Sequence, residues 1–285
     1  YKYIDCAGDS SAWTYTYTIL DTIRPTFTRP ADITIYADAN CTYDASVAVT
    51  GDVIDESDNC STGLEATYTD VVADGDCEGK KIITRTWSLI DACGNAAADQ
   101  VQTITVLDTI VPELAAGESW PADITDVDSC FSENLTNRLI TTAAAAALYT
   151  DNCGSVTVTV TSTTYDRIDN CDWRITRTYA VSDGCGNSFE KTQSVSGSDQ
   201  SAPALTGTWP ADVSGQDNCV AAADITALLS NEDAAALYTD CSGVTVTHTD
   251  ATTGDNCGWT VTRTYTISDG CGNSFEKTQS VSGSD

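Results

Sequence analysis

The sequence predicts an all-β chain of tandem β-sandwich repeats, with two disulfides per repeat. Three observations carry this. Motifs return every 86 to 92 residues, the cysteines return in the same phase, and short β-branched runs alternate with Asp, Asn and Gly turns.

The 17 residues Asp183 to Asp199 recur unchanged at Asp269 to Asp285, and a looser copy, DACGN, begins at Asp91. LDTIRP at Leu20 returns as LDTIVP at Leu107. RPADIT at Arg29 returns as WPADIT at Trp120 and WPADVS at Trp209. These landmarks set a stub at 1–20, which reads as the last strand or two of a preceding repeat. Repeats follow at 21–107, 108–198 and 199–285, and the close on a repeat boundary leads us to expect more beyond.

Within each repeat the PADIT segment opens as a strand. Ser155 to Thr161 then sets Val156, Val158 and Val160 on one face with threonines on the other, and Val244 and Val246 repeat this. A further strand reads ITRTW at Ile83, ITRTY at Ile175 and VTRTY at Val261; VQTITV at Val101 is the closing one. Ser230 reads as the N-cap of a short helix running into AAALY, and Thr142 to Leu148 is its equivalent in the second repeat. The first repeat shows no such insert.

Thirteen cysteines with one histidine, His248, point to an oxidising, extracellular compartment. Each repeat has four, and Cys6 reads as the fourth of the truncated one. C-x-x-C pairs are absent, which favours disulfides over a thiolate metal site. An immunoglobulin-type strand order would place the first and third cysteines at one end and the second and fourth at the other. On that order the expected pairs are Cys41–Cys77, Cys60–Cys93, Cys130–Cys171, Cys153–Cys185, Cys219–Cys257 and Cys241–Cys271.

The 285 residues suit two or three domains, and the net charge of -29 argues against nucleic acid and anionic membrane as partners. No apolar run reaches membrane-spanning length.

PADIT, DNC, TRTWSLIDACGN and QTITVLDTIVP together resemble the hyalin-repeat (HYR) and HYR-like immunoglobulin-type modules, in the wording found in very large Bacteroidota surface proteins. The resemblance implies an Ig-like fold, a role in adhesion or extracellular scaffolding, and neighbouring repeats or copies of the chain as partners. It also implies O-glycosylation at the Asp-Thr-apolar sites Thr22 and Thr109, where the plain alternative is an inter-repeat turn. Asn134-Leu135-Thr136 fits an N-glycan acceptor.

No nucleophile–base pair is supportable and an enzyme is not expected; His248 lies on the threonine side of a strand. No cofactor is required, and calcium is the ligand the oxygen donors suit best. The candidates are Asp91 with Asn95, Asp183 with Asn187, and Asp269 with Asn273, joined by Asp108 and Asp199 at the start of the following repeats; Asp58-Asn59 adds donors at the same end. The plain alternative is an Asx-turn. Arg85, Arg177 and Arg263 fall on inward positions and should meet a carboxylate or an aromatic ring. The leading function is a structural or adhesive repeat protein, the stalk of a surface adhesin or the shaft of an extracellular filament. The alternative is a carbohydrate-binding or ice-binding array reading surface glycans or ice, with Trp120 and Trp209 as platform candidates.

Overall fold

In the computed structural model, which describes residues 1–167, 171–220, 225–255 and 257–285, the chain is all-β with three small helices. The stub forms a hairpin of β1 (Lys2–Ile4) and β2 (Ser10–Ala12). Residues 21–107 form β3 (Ile33–Tyr36), α1 (Val47–Thr50), β4 (Thr67–Asp74), β5 (Lys81–Ser88) and β6 (Gln100–Leu107). Residues 108–198 form β7 (Glu113–Leu114), β8 (Ile124–Asp128), α2 (Thr142–Ala146), β9 (Tyr149–Thr150), β10 (Thr157–Arg167), β11 (Asp172–Ser182) and β12 (Ser188–Ser198). Residues 199–285 form β13 (Ala204–Leu205), β14 (Val213–Asp217), α3 (Asn231–Ala235), β15 (Tyr238–Thr239), β16 (Val244–Asp255), β17 (Gly258–Asp269) and β18 (Ser274–Ser284).

Each repeat builds a four-stranded sheet in one order: β3-β6-β5-β4, β8-β12-β11-β10 and β14-β18-β17-β16. The PADIT strand runs parallel to the closing strand, Ile33 opposite Ile104, Ile124 opposite Val195 and Val213 opposite Val281. Alternation decides which side is buried: along β5, Ile83, Arg85 and Trp87 point inward while Thr84 and Thr86 do not. The second layer of the sandwich is short, built from helix and loop and, in the third repeat, from β15 as well. Ala234 of α3 packs with Tyr238, Tyr265 and Ile267, and Phe27 and Val53 pack on Trp87 and Leu89.

The expected helices form at α2, where Thr141 Oγ1 accepts from the Ala144 N–H at 3.2 Å, and at α3, where Ser230 Oγ accepts from the Asp233 N–H at 3.0 Å. The first repeat also makes one helical turn, α1, against expectation. Its sequence, VAVT, is β-branched and has no side-chain cap, so tertiary contacts impose it: Gln102 Nε2 donates to the Thr50 carbonyl and Arg85 to the Thr50 hydroxyl.

Three buried glutamines tie sheet to loop. Gln102 Nε2 donates to Ala31 O and Thr50 O at 2.9 Å each, while its Oε1 accepts from Trp87 Nε1 at 3.2 Å. Gln193 and Gln279 make the same bond to Ala122 O and Ala211 O, and accept from the Ile140 and Leu229 N–H groups. The PADIT aspartate is fixed similarly. Asp32, Asp123 and Asp212 each accept the N–H that follows this glutamine, at 2.7–2.9 Å. Gly197 and Gly283 permit close strand approach, since a Cβ there would lie 2.0 Å from Val127 O and 2.4 Å from Gln216 O.

The disulfides depart from expectation. Those formed are Cys41–Cys153, Cys77–Cys185, Cys130–Cys241 and Cys171–Cys271, with Cα separations of 4.8, 5.3, 6.2 and 5.2 Å. None of the expected pairs Cys41–Cys77, Cys130–Cys171, Cys153–Cys185 and Cys241–Cys271 forms, while Cys60, Cys93, Cys219 and Cys257 are free thiols, as is Cys6. The first and third cysteines of a repeat both bond forward, to the second and fourth of the next. The bonds simply run across the repeat boundary instead of across the sheet, so each closes about 100 residues or more. Loops of that size constrain the unfolded chain by about 4.7 kcal/mol each in the chain-entropy account.

The chain divides into two compact units: Tyr1–Glu113 with Thr150–Val156 and Ser182–Ser188, and Leu114–Tyr149 with Thr157–Val181 and Phe189–Asp285. The loops bearing Cys153 and Cys185 thus belong to the first unit, where their partners lie.

Candidate functional site

The D-x-C-G-N turn of each repeat organises the boundary with the repeat before it. Asp91 Oδ1 accepts the N–H groups of Cys93 and Asn95 at 2.9 and 2.7 Å, and its Oδ2 accepts from Asn95 Nδ2 at 2.7 Å. Asp183 and Asp269 repeat all three bonds. The remaining Asn hydrogen ties the turn to the first residue of its own repeat: Nδ2 of Asn95, Asn187 and Asn273 donates to the carbonyls of Asp21, Asp108 and Asp199 at 3.3, 3.2 and 3.1 Å. These asparagines are therefore clamps, with their amide nitrogens spent, and the turn is the Asx-turn set against calcium from sequence.

The aspartates gather more closely. Carboxylate oxygens of Asp21, Asp58 and Asp91 lie within 4.8 Å of one another, and Asp108 and Asp183, like Asp199 and Asp269, fall within the same reach. Asp108 and Asp183 lie near enough to Asp151, and Asp240 and Asp269 to Asp199, for their charges to act on it. Burial first, then the charges of Asp108 and Asp183, push Asp151 above the usual aspartate value. Burial, then Asp240, Asp269 and Asp128, do the same to Asp199. Asp91 and Asp269 go the other way. Burial works against their charge, but the hydrogen bonds of the turn outweigh it and hold them low.

Orphaned oxygens mark these clusters. Asp108, only 5% exposed, uses Oδ1 to accept the Ile110 N–H at 3.0 Å, and its Oδ2 is buried without a hydrogen-bond partner. Asp151 Oδ2 and Asn152 Oδ1 are buried and unpartnered in the same junction, as are Asp21 Oδ2 and Asp58 Oδ1 one repeat earlier. Among the described residues, none of these aspartates pairs with Lys or Arg. Each trio thus concentrates negative charge with little to offset it, and burying unpaired charge is costly. Its donors are hard carboxylate and amide oxygens, a set that fits Ca²⁺ and not a thiophilic metal.

Of the residues the sequence nominated, Asp91, Asp108, Asp183, Asp199 and Asp269 lie in these clusters. Asp21, Asp151 and Asp240 were missed. Asp151 and Asp240 stand in the slot of Asp58, just before each repeat's second cysteine, and that shared position was the available signal.

Other nominated residues have structural employment. Trp120 Nε1 donates to Thr192 O and its ring packs edge-on to Tyr179 at 5.4 Å; Trp209 does the same with Thr278 O and Tyr265 at 5.2 Å. Neither forms a flat exposed platform. Arg85, 1% exposed, makes a two-pronged pair with Asp70 at 2.8 Å, bonds Thr50 Oγ1 and Ala45 O, and lies 4.0 Å over the Tyr68 ring. Arg263 pairs likewise with Asp250. In the second repeat Ser162 holds the slot of that carboxylate, and Arg177 instead sits against Tyr179. His248 Nδ1 lies 2.7 Å from Asn231 Oδ1 on exposed β16. Thr22 and Thr109 are exposed in turns where Asp21 and Asp108 accept the Ile23 and Ile110 N–H groups. Asn134 is exposed in a 3-10 turn over Glu133–Arg138.

No family model matches this chain and no curated protein does. The hyalin-repeat resemblance therefore rests on its motifs alone. Among solved structures, the chain is similar to human CDH23 EC21-23, with 13% identity over 91% of this chain and 100% of that one, at a TM-score of 0.32. Drosophila N-cadherin EC1-4 matches at 9% identity over 92% and 76%, with a TM-score of 0.27. At these TM-scores the likeness decides nothing, and the reading below rests on the residues themselves. Among the described residues no helix is long and apolar enough to cross a membrane, which says nothing of a barrel.

Proposed function

We propose that this chain is a structural or adhesive extracellular repeat protein, the stalk of a surface adhesin or the shaft of a filament, as its hyalin-repeat-like motifs imply. The observation that carries the reading is the pairing of cysteines: every boundary between the repeats at 21–107, 108–198 and 199–285 is crossed by two disulfides. Covalent links between repeats serve a chain that must carry tension outside the cell, where disulfides persist. They do little for a catalytic module, which needs a cleft.

A divalent cation, best calcium, completes each boundary on this reading. At the first internal one its ligands would come from Asp108, Asp151, Asn152 and Asp183, whose orphaned oxygens support it. At the others Asp21, Asp58 and Asp91, and Asp199, Asp240 and Asp269, take the same roles. O-glycans on Thr22 and Thr109 would project from the same boundaries.

Immunogold labelling of the source cells tests the role. Label on surface material with a regular repeat supports it; label confined to the cell interior overturns it. Melting with chelator and with millimolar calcium tests the cation, and identical curves would remove it.

A further inference from the structure

Each repeat sets an arginine at the same position of its TRT strand: Arg85, Arg177 and Arg263. Arg85 makes a two-pronged bond to Asp70 at 2.8 Å, and Arg263 makes the same bond to Asp250 at 2.8 Å. Both aspartates stand on the edge strand, directly opposite their arginine. In the second repeat one bond fixes the register of the edge strand β10. Thr161 Oγ1 donates to Thr178 O at 3.4 Å, as Thr67 donates to its register partner Ser88 and Thr245 to its partner Ser268. Thr161 therefore faces Thr178, and the next pair is Ser162 with Arg177. Ser162 is exposed, and its neutral hydroxyl cannot supply the charge of Asp70 or Asp250.

Among the described residues nothing replaces that carboxylate. Arg177 makes no ion pair there, and its Nε is buried without a hydrogen-bond partner. It sits against Tyr179, whose hydroxyl donates to Ile140 O at 2.7 Å; a neutral phenol leaves the guanidinium charge unmet. Glu190 is engaged by Thr161 at 3.3 Å. Successive strand residues point to opposite faces, so this glutamate lies on the side away from Ser162. Helix α2 is built of Thr and Ala alone, where α3 carries Glu232 and Asp233. Arg85, by contrast, feels Asp52 in addition to Asp70. A half-buried charge without a counter-ion is costly, and a guanidinium fork suits a carboxylate held by two parallel bonds.

We propose that the slot between Ser162 and Arg177 is a binding site for the carboxylate of an acidic sugar, which takes the place that Asp70 and Asp250 fill in the other repeats. The slot opens to solvent: the Asp70 and Asp250 side chains are 27% and 30% exposed, and Ser162 is shorter than either. Its rim suits a sugar. Val160, two residues before Ser162 on the same face, is 42% exposed and offers contact to ring carbons, while the Ser162 hydroxyl can bond a ring hydroxyl. Charge argues against an acidic protein as the occupant. A chain of net charge -29 repels a second copy of itself, whereas one sugar carboxylate brings a single charge, and acids beyond about 8 Å are screened. The kind of ligand rests on the reading of the chain as an extracellular adhesive repeat protein; the slot depends on neither the cation nor the disulfides.

The test is titration of the full chain with sodium glucuronate, in chelator and at constant ionic strength, read by nitrogen–proton NMR of the arginine Nε groups. The expected result is a saturable shift of the Arg177 signal while the Arg85 and Arg263 signals, already bonded to aspartate, stay fixed. Glucose should give no shift, and acetate should bind more weakly. Ser162→Asp should abolish the shift and raise the melting temperature, because it installs the pair of the other repeats. Arg177→Lys, which keeps the charge and loses the fork, should weaken binding about tenfold or more. No saturable shift at Arg177, equal shifts at all three arginines, or a Ser162→Asp chain that still binds or melts no higher would overturn the proposal. Acetate or polyglutamate binding as tightly as glucuronate would overturn the assignment to a sugar. Each of these failures leaves the structural role standing, since surface labelling tests that role separately.

Discussion

Pulling the oxidised chain by its ends gives a length that the bridges fix. From Cys41 the covalent path jumps to Cys153, follows the backbone to Cys171 and jumps to Cys271. Only the 18 residues between Cys153 and Cys171 can extend, whatever force unfolds the sheets. At roughly 3.6 Å per residue that is about 65 Å, whereas the reduced chain, with 230 residues between Cys41 and Cys271, opens to about 830 Å. Pairing within repeats would leave a path of about 115 residues, roughly 410 Å. Single-molecule force spectroscopy with handles at the termini, with and without reductant, separates the three lengths. An oxidised extension of this segment near 410 Å, or one unchanged by reductant, would refute the cross-repeat account.

Four further outcomes follow from the same contacts. Saturating a junction with calcium at a hundred times its dissociation constant should add about 2.7 kcal/mol per site, and Asp108→Asn should lose that gain while raising the melting temperature in chelator. Without the cation, Asp151 and Asp199 have folded pKa values above the unfolded one. Their stabilising contribution is full below the ordinary aspartate value of about 3.9 and is lost as pH rises through the folded values. Thermal melts in chelator should therefore rise on mild acidification from neutrality; stronger acid reverses this as Asp91 and Asp269, held low, take up protons. Arg85→Met strands Asp70 and should cost about 3 kcal/mol in urea unfolding, and Gln102→Leu, which leaves the Thr50 carbonyl unmet, about 2 kcal/mol. Gly197→Ala pushes a methyl against the Val127 carbonyl and should cost about 1–3 kcal/mol, read by the same unfolding curves.

Much of the fold was legible because period and alternation are local signals. The TRTW and TRTY strands show their inward positions directly, and the buried arginines were flagged by falling on them. Ser230 announced α3 because a cap acts within its own turn. Helix α1 was hidden, since VAVT argues for strand and only distant Gln102 and Arg85 hold it. Disulfide partners were misassigned for a related reason: four cysteines in phase fix which ends they occupy, but not whether the sulfur faces its own sheet or the next repeat. The carboxylate clusters were half legible. Asp91 and Asp108 stood in recognisable motifs, whereas Asp151, 43 residues further along the same repeat, meets Asp108 only once that repeat has folded.

The most direct test is a peptide map of the unreduced protein, alkylated before digestion. Linked peptides for Cys41–Cys153, Cys77–Cys185, Cys130–Cys241 and Cys171–Cys271 are the predicted result. Recovery of Cys41–Cys77 or Cys130–Cys171 in their place would contradict a chain whose repeats are joined each to the next.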